Sequence, residues 1–215
     1  MARRGNRQVL TIIGLILTLG SVFAPLGKWG KAYTGLGHLF GGEVLWWALV
    51  VIVLLYVALI ERRPFSSIGF RRPKWSDILA GVGAAVVALG GILVIYTVLF
   101  PALHLQMNKG AMNGLLQTPL WFRILLVTRA AVGEELLFRG YAISRLDELS
   151  GSRMFAALLS WAIFTYAHLS YWGAAQLIIA GWGGLVLTIL FLWRRNLWTN
   201  MLAHWLTDGA GFLLG

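Results

Sequence analysis

The residues of this chain that can do chemistry fall in three short stretches, each set in an apolar run. Arg129-Ala-Ala-Val-Gly-Glu134-Glu135-Leu-Leu-Phe-Arg139 holds two adjacent carboxylates and two arginines. Phe164-Thr-Tyr-Ala-His168 and His204-Trp-Leu-Thr-Asp208 each place a histidine at i,i+4 spacing from a ring or an acid. Carboxylates beside imidazoles are the parts of a site that activates water and stabilises an oxyanion. A helix advances about 100° per residue, so Glu135 and Arg139 share a face and can pair, while Glu134 points elsewhere. That leaves Glu134 free to face the bundle interior as a desolvated general base. Phe164 and His168 share a face, as do His204 and Asp208.

Each stretch alone has a bland alternative. Glu134 and Glu135 can pair with Arg129 and Arg139 as glue between helices. His168 can be a packing residue satisfied by Thr165 or Tyr166. His204 and Asp208 can simply neutralise each other. Taken together the alternatives weaken. Arg123, Arg129, Glu134, Glu135, Arg139 and Asp208 left in lipid at mid-depth would cost on the order of 15–20 kcal/mol. A marginally stable fold cannot carry that, so these groups are expected to face one another or water around a single cavity.

The elements that position them are membrane helices. The chain of 215 residues is 59% hydrophobic and 12% charged, with a mean hydropathy of +0.76. Soluble domains run about 45–50% apolar and about 25% charged. The net charge of +10 is no nucleic-acid footprint, because the Lys and Arg residues sit in short loops between apolar runs. The absence of cysteine excludes disulfides, a thiolate nucleophile and thiolate metal ligands.

Seven spans are expected, with a polar intramembrane cavity between them: 9–24, 43–60, 77–100, 120–146, 154–169, 174–193 and 196–214. The first reads as an uncleaved helix, since Pro25 follows the small-residue stretch Val22-Phe-Ala24. Residues 25–42 read as a loop and Trp46 and Trp47 as interfacial anchors. Residues 61–75 read as the most basic loop, and Ser76 or Asp77 as a helix N-cap. Pro101 is expected to end the third span and Pro119 to lie in the first turn of the fourth. Gly181, Gly183 and Gly184 are expected to allow close helix approach. The first three spans (1–101) and the core helices (102–215) are expected to form one folding unit.

Alternating the spans from a cytoplasmic N-terminus puts Arg3, Arg4, Arg7, Arg62, Arg63, Arg71, Arg72, Lys74, Arg145, Arg153, Arg194 and Arg195 on the cytoplasmic side. Only Lys28, Lys31 and Lys109 fall opposite. The bias sets the N-terminus inside, and the expected location is the plasma membrane of a prokaryotic cell.

Glu-Glu-x-x-x-Arg, Phe-x-x-x-His and His-x-x-x-Asp/Asn, in this order on successive apolar segments, resemble the signature of the CPBP (Abi) family of CAAX-prenyl-protease and bacteriocin-processing intramembrane endopeptidases. The resemblance covers about residues 115–212. It implies that Glu134 activates water with His168 as partner, that His204 and Asp208 stabilise the oxyanion, that Glu135 and Arg139 support the site, and that Phe164 packs beside it. The prenyl-protease branch usually has Asn at the position of Asp208. An ionised Asp cannot donate to an oxyanion, so Asp208 is either protonated or orients His204; the orienting role is the favoured one. The implied partners are a peptide or protein substrate, lipidated or not, and the bilayer itself. No nucleic acid and no cofactor is expected. Zinc on the Glu, His and Asp set is the weaker alternative, because no His-Glu-x-x-His pair is present. The alternative function is a non-catalytic immunity or scaffold protein on the same fold.

Overall fold

A computed structural model describes residues 2–23 and 36–214, and every regular element among them is helical. Lys28 and Lys31 of the charge count lie outside the described residues. Helix α1 is Ala2–Gly20. Helix α2 is Leu36–Leu55, continued by a wider π turn over Tyr56–Ile60. Helix α3 is Trp75–Ala102. The short α4 is Lys109–Leu116, and α5 is Leu120–Ser150. Helices α6, α7 and α8 are Arg153–Ala167, Gln176–Arg194 and Leu197–Phe212.

Among the described residues, four segments are long and apolar enough to cross a membrane: Asn6–Phe23, Phe40–Ile60, α3 and α7. The helix pair α4–α5, bent by 117°, makes a fifth if counted as one broken span. The expected count of seven is not confirmed among the described residues. Helix α6 has 15 residues and α8 has 16, so at about 1.5 Å per residue each falls short of a hydrocarbon core about 30 Å thick. Outward faces carry apolar side chains such as Ile16, Leu79, Val86 and Leu93, all over 60% exposed, as a lipid-facing surface requires. These helices make the chain an integral membrane protein.

Several local expectations are corrected. Helix α2 begins at Leu36, inside the stretch read as a loop. Arg129 lies 5.4 Å over the ring of Trp46. The N-cap of α3 is Lys74, and Asp77, in the third position, accepts from the Lys74 amide at 2.8 Å. Pro101 sits within the last turn of α3, and Pro119 is the N-cap of α5 rather than part of its first turn.

Helix α5 is the axis of the bundle and packs against α1, α2, α6 and α8. Leu136, Leu137, Tyr141, Ala142 and Ile143 are fully buried. Its Gly140 allows the loop before α3 and the start of α8 to close on it. A Cβ there would lie 2.7 Å from the Ile68 carbonyl oxygen and 2.8 Å from Leu197. Gly140→Ala is expected to destabilise the protein by about 1–3 kcal/mol, since backbone cannot step aside; thermal unfolding in detergent checks it. Among the expected close-approach glycines only Gly184 makes a tight contact, its Cβ position 2.8 Å from Phe164, whereas Gly183 has open space around it.

One end of the bundle gathers basic loops. Arg145, fully buried, donates to Glu61 at 2.6 Å, to the Ser67 hydroxyl at 3.0 Å and to Glu148 at 3.2 Å. Arg153 and Arg195 both approach Asp147, and Arg194 holds Asp77 at 2.7 Å. The stretches around residues 61–77, 144–153 and 194–196 thus share one end.

Candidate active site

The Glu134–Glu135 motif lies where α5 widens. Residues Ala130–Ile143 wind as a π-helix, in which backbone bonds run i→i+5, a geometry that recurs at functional sites. That winding brings residues five apart together. Arg129 donates to Glu134 at 3.3 Å. The expectation that Glu134 stands free is corrected: it carries one ion pair. Its second oxygen has no hydrogen bond among the described residues, and its side chain is 17% exposed.

Arg129 is itself held by a residue that the motifs do not contain. Glu43 of α2 is buried and accepts from Arg129 at 3.1 and 3.2 Å. In the sequence Glu43 marks only the start of a span. Its signal was an acid at the head of an apolar run, paired with nothing nearby in the chain.

Glu135 is the hub. It is fully buried, as is Arg139, and accepts from Arg139 at 3.0 Å, one helical turn on. Asn200 of α8 donates to its other oxygen at 3.0 Å, and His204 Nδ1 meets it at 2.9 Å. Asn200 was missed because amides carry no charge and no spacing rule singles them out. Arg139 also donates to the Gly184 carbonyl at 3.0 Å, tying α5 to α7. A buried guanidinium with one carboxylate and one carbonyl is substantially neutralised and hydrogen-bonded, as burial demands.

His204 stands between two acids. Beyond Glu135, its Nε2 lies 3.4 Å from Asp208, an ion-pair distance longer than a good hydrogen bond. Both ring nitrogens thus face carboxylate oxygens, which only accept, an arrangement that fits the doubly protonated ring with an N–H on each side. Phe164 is sandwiched: the Arg139 guanidinium lies 4.0 Å over its ring, and the His168 ring packs at 4.7 Å. His168 Nδ1 meets the Phe164 carbonyl at 2.8 Å. A carbonyl can only accept, so Nδ1 carries the hydrogen and, in the neutral ring, Nε2 keeps its lone pair.

Glu135, Arg139, His204 and Asp208 thus form one hydrogen-bonded and ion-paired cluster, and Phe164 links His168 to it. Glu134 and His168 flank the cluster, with their own bonds to Arg129 and to the Phe164 carbonyl. Arg123 does not join: it donates to the Phe212 carbonyl at 2.9 Å. Among the described residues, no three His, Asp or Glu side chains converge as metal ligands do. Glu135 and Arg139 are fully buried, while Glu134 and Asp208 are partly exposed.

Residues 115–210 match the family model described as type II CAAX prenyl endopeptidase Rce1-like. No curated protein and no solved structure matches the chain. The match spans α5 to α8 and all three motifs that meet around Glu135. Residues 115–210 of this integral membrane protein are thus similar to the Rce1-like type II CAAX prenyl endopeptidases of the CPBP family.

Proposed function

We propose that the chain is a glutamic intramembrane endopeptidase in which Glu134 and His168 activate the attacking water. The observation that carries the reading is the cluster around Glu135. It fixes His204 from α8 and, through Arg139 and Phe164, His168 from α6 against the same turn of α5. Glu134 takes a proton from water, and His168 Nε2 accepts from the same water and orients it. The hydroxide adds to the scissile carbonyl. The oxyanion that forms accepts from the His204 Nε2–H, which Asp208 orients. The proton on Glu134 then passes to the leaving amine. Every proton is accounted for by water and these side chains, so the reading needs no metal; zinc stays the weaker alternative. The substrate is a membrane-bound peptide or protein, lipidated or not. The N-terminus is cytoplasmic, a reading supported by the basic end assembled from the loops around residues 61–77, 144–153 and 194–196.

His168→Ala is expected to lower cleavage about 10²–10⁴-fold while the protein still inserts, the range for losing one acid–base partner. The test compares membrane proteomes of cells carrying the wild type and His168→Ala, reading which peptides lose a cut. Cleavage should persist in 1,10-phenanthroline; loss of activity there, with stoichiometric metal in the purified protein, would return the zinc reading. The Arg129–Glu134 pair is the observation that favours a non-catalytic scaffold. On that reading the variant proteomes match the wild type.

A further inference from the structure

A second feature lies away from the motifs, at the basic end, between the start of α3 and the start of α8. A cavity of about 150 Å³ opens there, lined by Pro73, Asp77, Ile78, Trp198, Thr199 and Leu202. Its walls are almost wholly apolar: Thr199 is 2% exposed and its hydroxyl is sealed inside the wall.

The mouth of the cavity is cationic. Arg71, Arg72 and Lys74 flank the lining Pro73 and are all exposed, and none forms an ion pair among the described residues. Trp75 is 80% exposed and Trp198 is 50% exposed, as aromatic side chains at a bilayer interface are. The acid in the wall, Asp77, is already neutralised. It accepts from Arg194 at 2.7 Å, from Asn196 at 3.3 Å and from the Lys74 amide at 2.8 Å. The wall therefore offers no repulsion to an anion.

We propose that this cavity seats one anionic phospholipid, its phosphate on Arg71, Arg72 and Lys74, and the head of one acyl chain between Ile78, Trp198 and Leu202. Acyl chains gain nothing by leaving lipid for an apolar wall, so the preference comes from the charges, and the cavity supplies fit. The same turn of α8 leads to Asn200 and His204, so an occupied cavity braces the helix that carries half of the site.

The test uses the full chain in nanodiscs whose acyl chains are brominated, reading the quenching that belongs to Trp198 as the difference between the wild type and Trp198→Phe. Brominated phosphatidylglycerol is expected to saturate this quenching at a mole fraction on the order of a hundredfold below brominated phosphatidylcholine in low salt, from three basic charges near the surface, and less in high salt. The triple substitution R71Q/R72Q/K74Q should abolish the preference. Ile78→Trp, which fills the cavity from an exposed position, should abolish it while leaving the charges in place. Equal quenching by the two lipids overturns the proposal. So does a preference that survives the triple substitution, or one untouched by Ile78→Trp, since the last would mean a diffuse attraction with no seated lipid.

Discussion

Glu134→Ala is expected to lower peptide-bond cleavage by about 10²–10⁴-fold, the range set by removing a general base, while leaving the fold intact. The two halves of this expectation have separate causes. Activity falls because Glu134 is the carboxylate of the motif that keeps an oxygen free of protein donors beside an exposed edge. Folding survives because Arg129, its one partner, stays paired to Glu43 through the contacts at 3.1 and 3.2 Å. No buried charge is orphaned. Glu134→Gln, which keeps the shape and the acceptor for Arg129 but cannot take a proton from water, should be equally inactive. Turnover of an identified substrate by the purified variants, alongside their unfolding temperatures, measures both halves. Wild-type turnover in Glu134→Ala ends the proposed mechanism.

Glu135→Ala is expected to act in the opposite way, through stability first. Removing it strands Arg139, fully buried and left with only the Gly184 carbonyl, and takes an acceptor from Asn200 and from His204. Breaking a buried pair by deleting one partner costs about 3–5 kcal/mol, a large part of the about 5–15 kcal/mol that holds a domain together. At about 2–4 °C per kcal/mol for a chain of this size, the unfolding midpoint should drop by roughly 6–20 °C. Glu135→Gln, which keeps an acceptor on one side of the hub but turns its NH2 toward a donor on the other, should recover only part of this loss. Glu135→Met combined with Arg139→Leu should be more stable than Glu135→Ala alone, because neither charge is then left unpaired. A midpoint unmoved in Glu135→Ala would show that the hub does not hold α5 to α8.

By itself the sequence determined the features that local periodicity and the cost of charge in lipid dictate. Apolar runs located the long helices, and i,i+4 spacing paired Glu135 with Arg139 and His204 with Asp208, because a helix fixes which near neighbours share a face. The need to neutralise charge required the motifs to meet. Tertiary structure alone decided the rest. It bound Arg129 to Glu43 across 86 residues and Asn200 to Glu135 across 65. It also wound α5 into a π-helix so that Arg129 reaches Glu134. Helices α6 and α8 proved shorter than full spans. The physical reason is that a leucine is equally at home against lipid or against another helix, so apolar residues in a membrane chain do not say which way a helix faces. Polar ones do, but their partners lie on helices far away in sequence, and only the packed bundle says which.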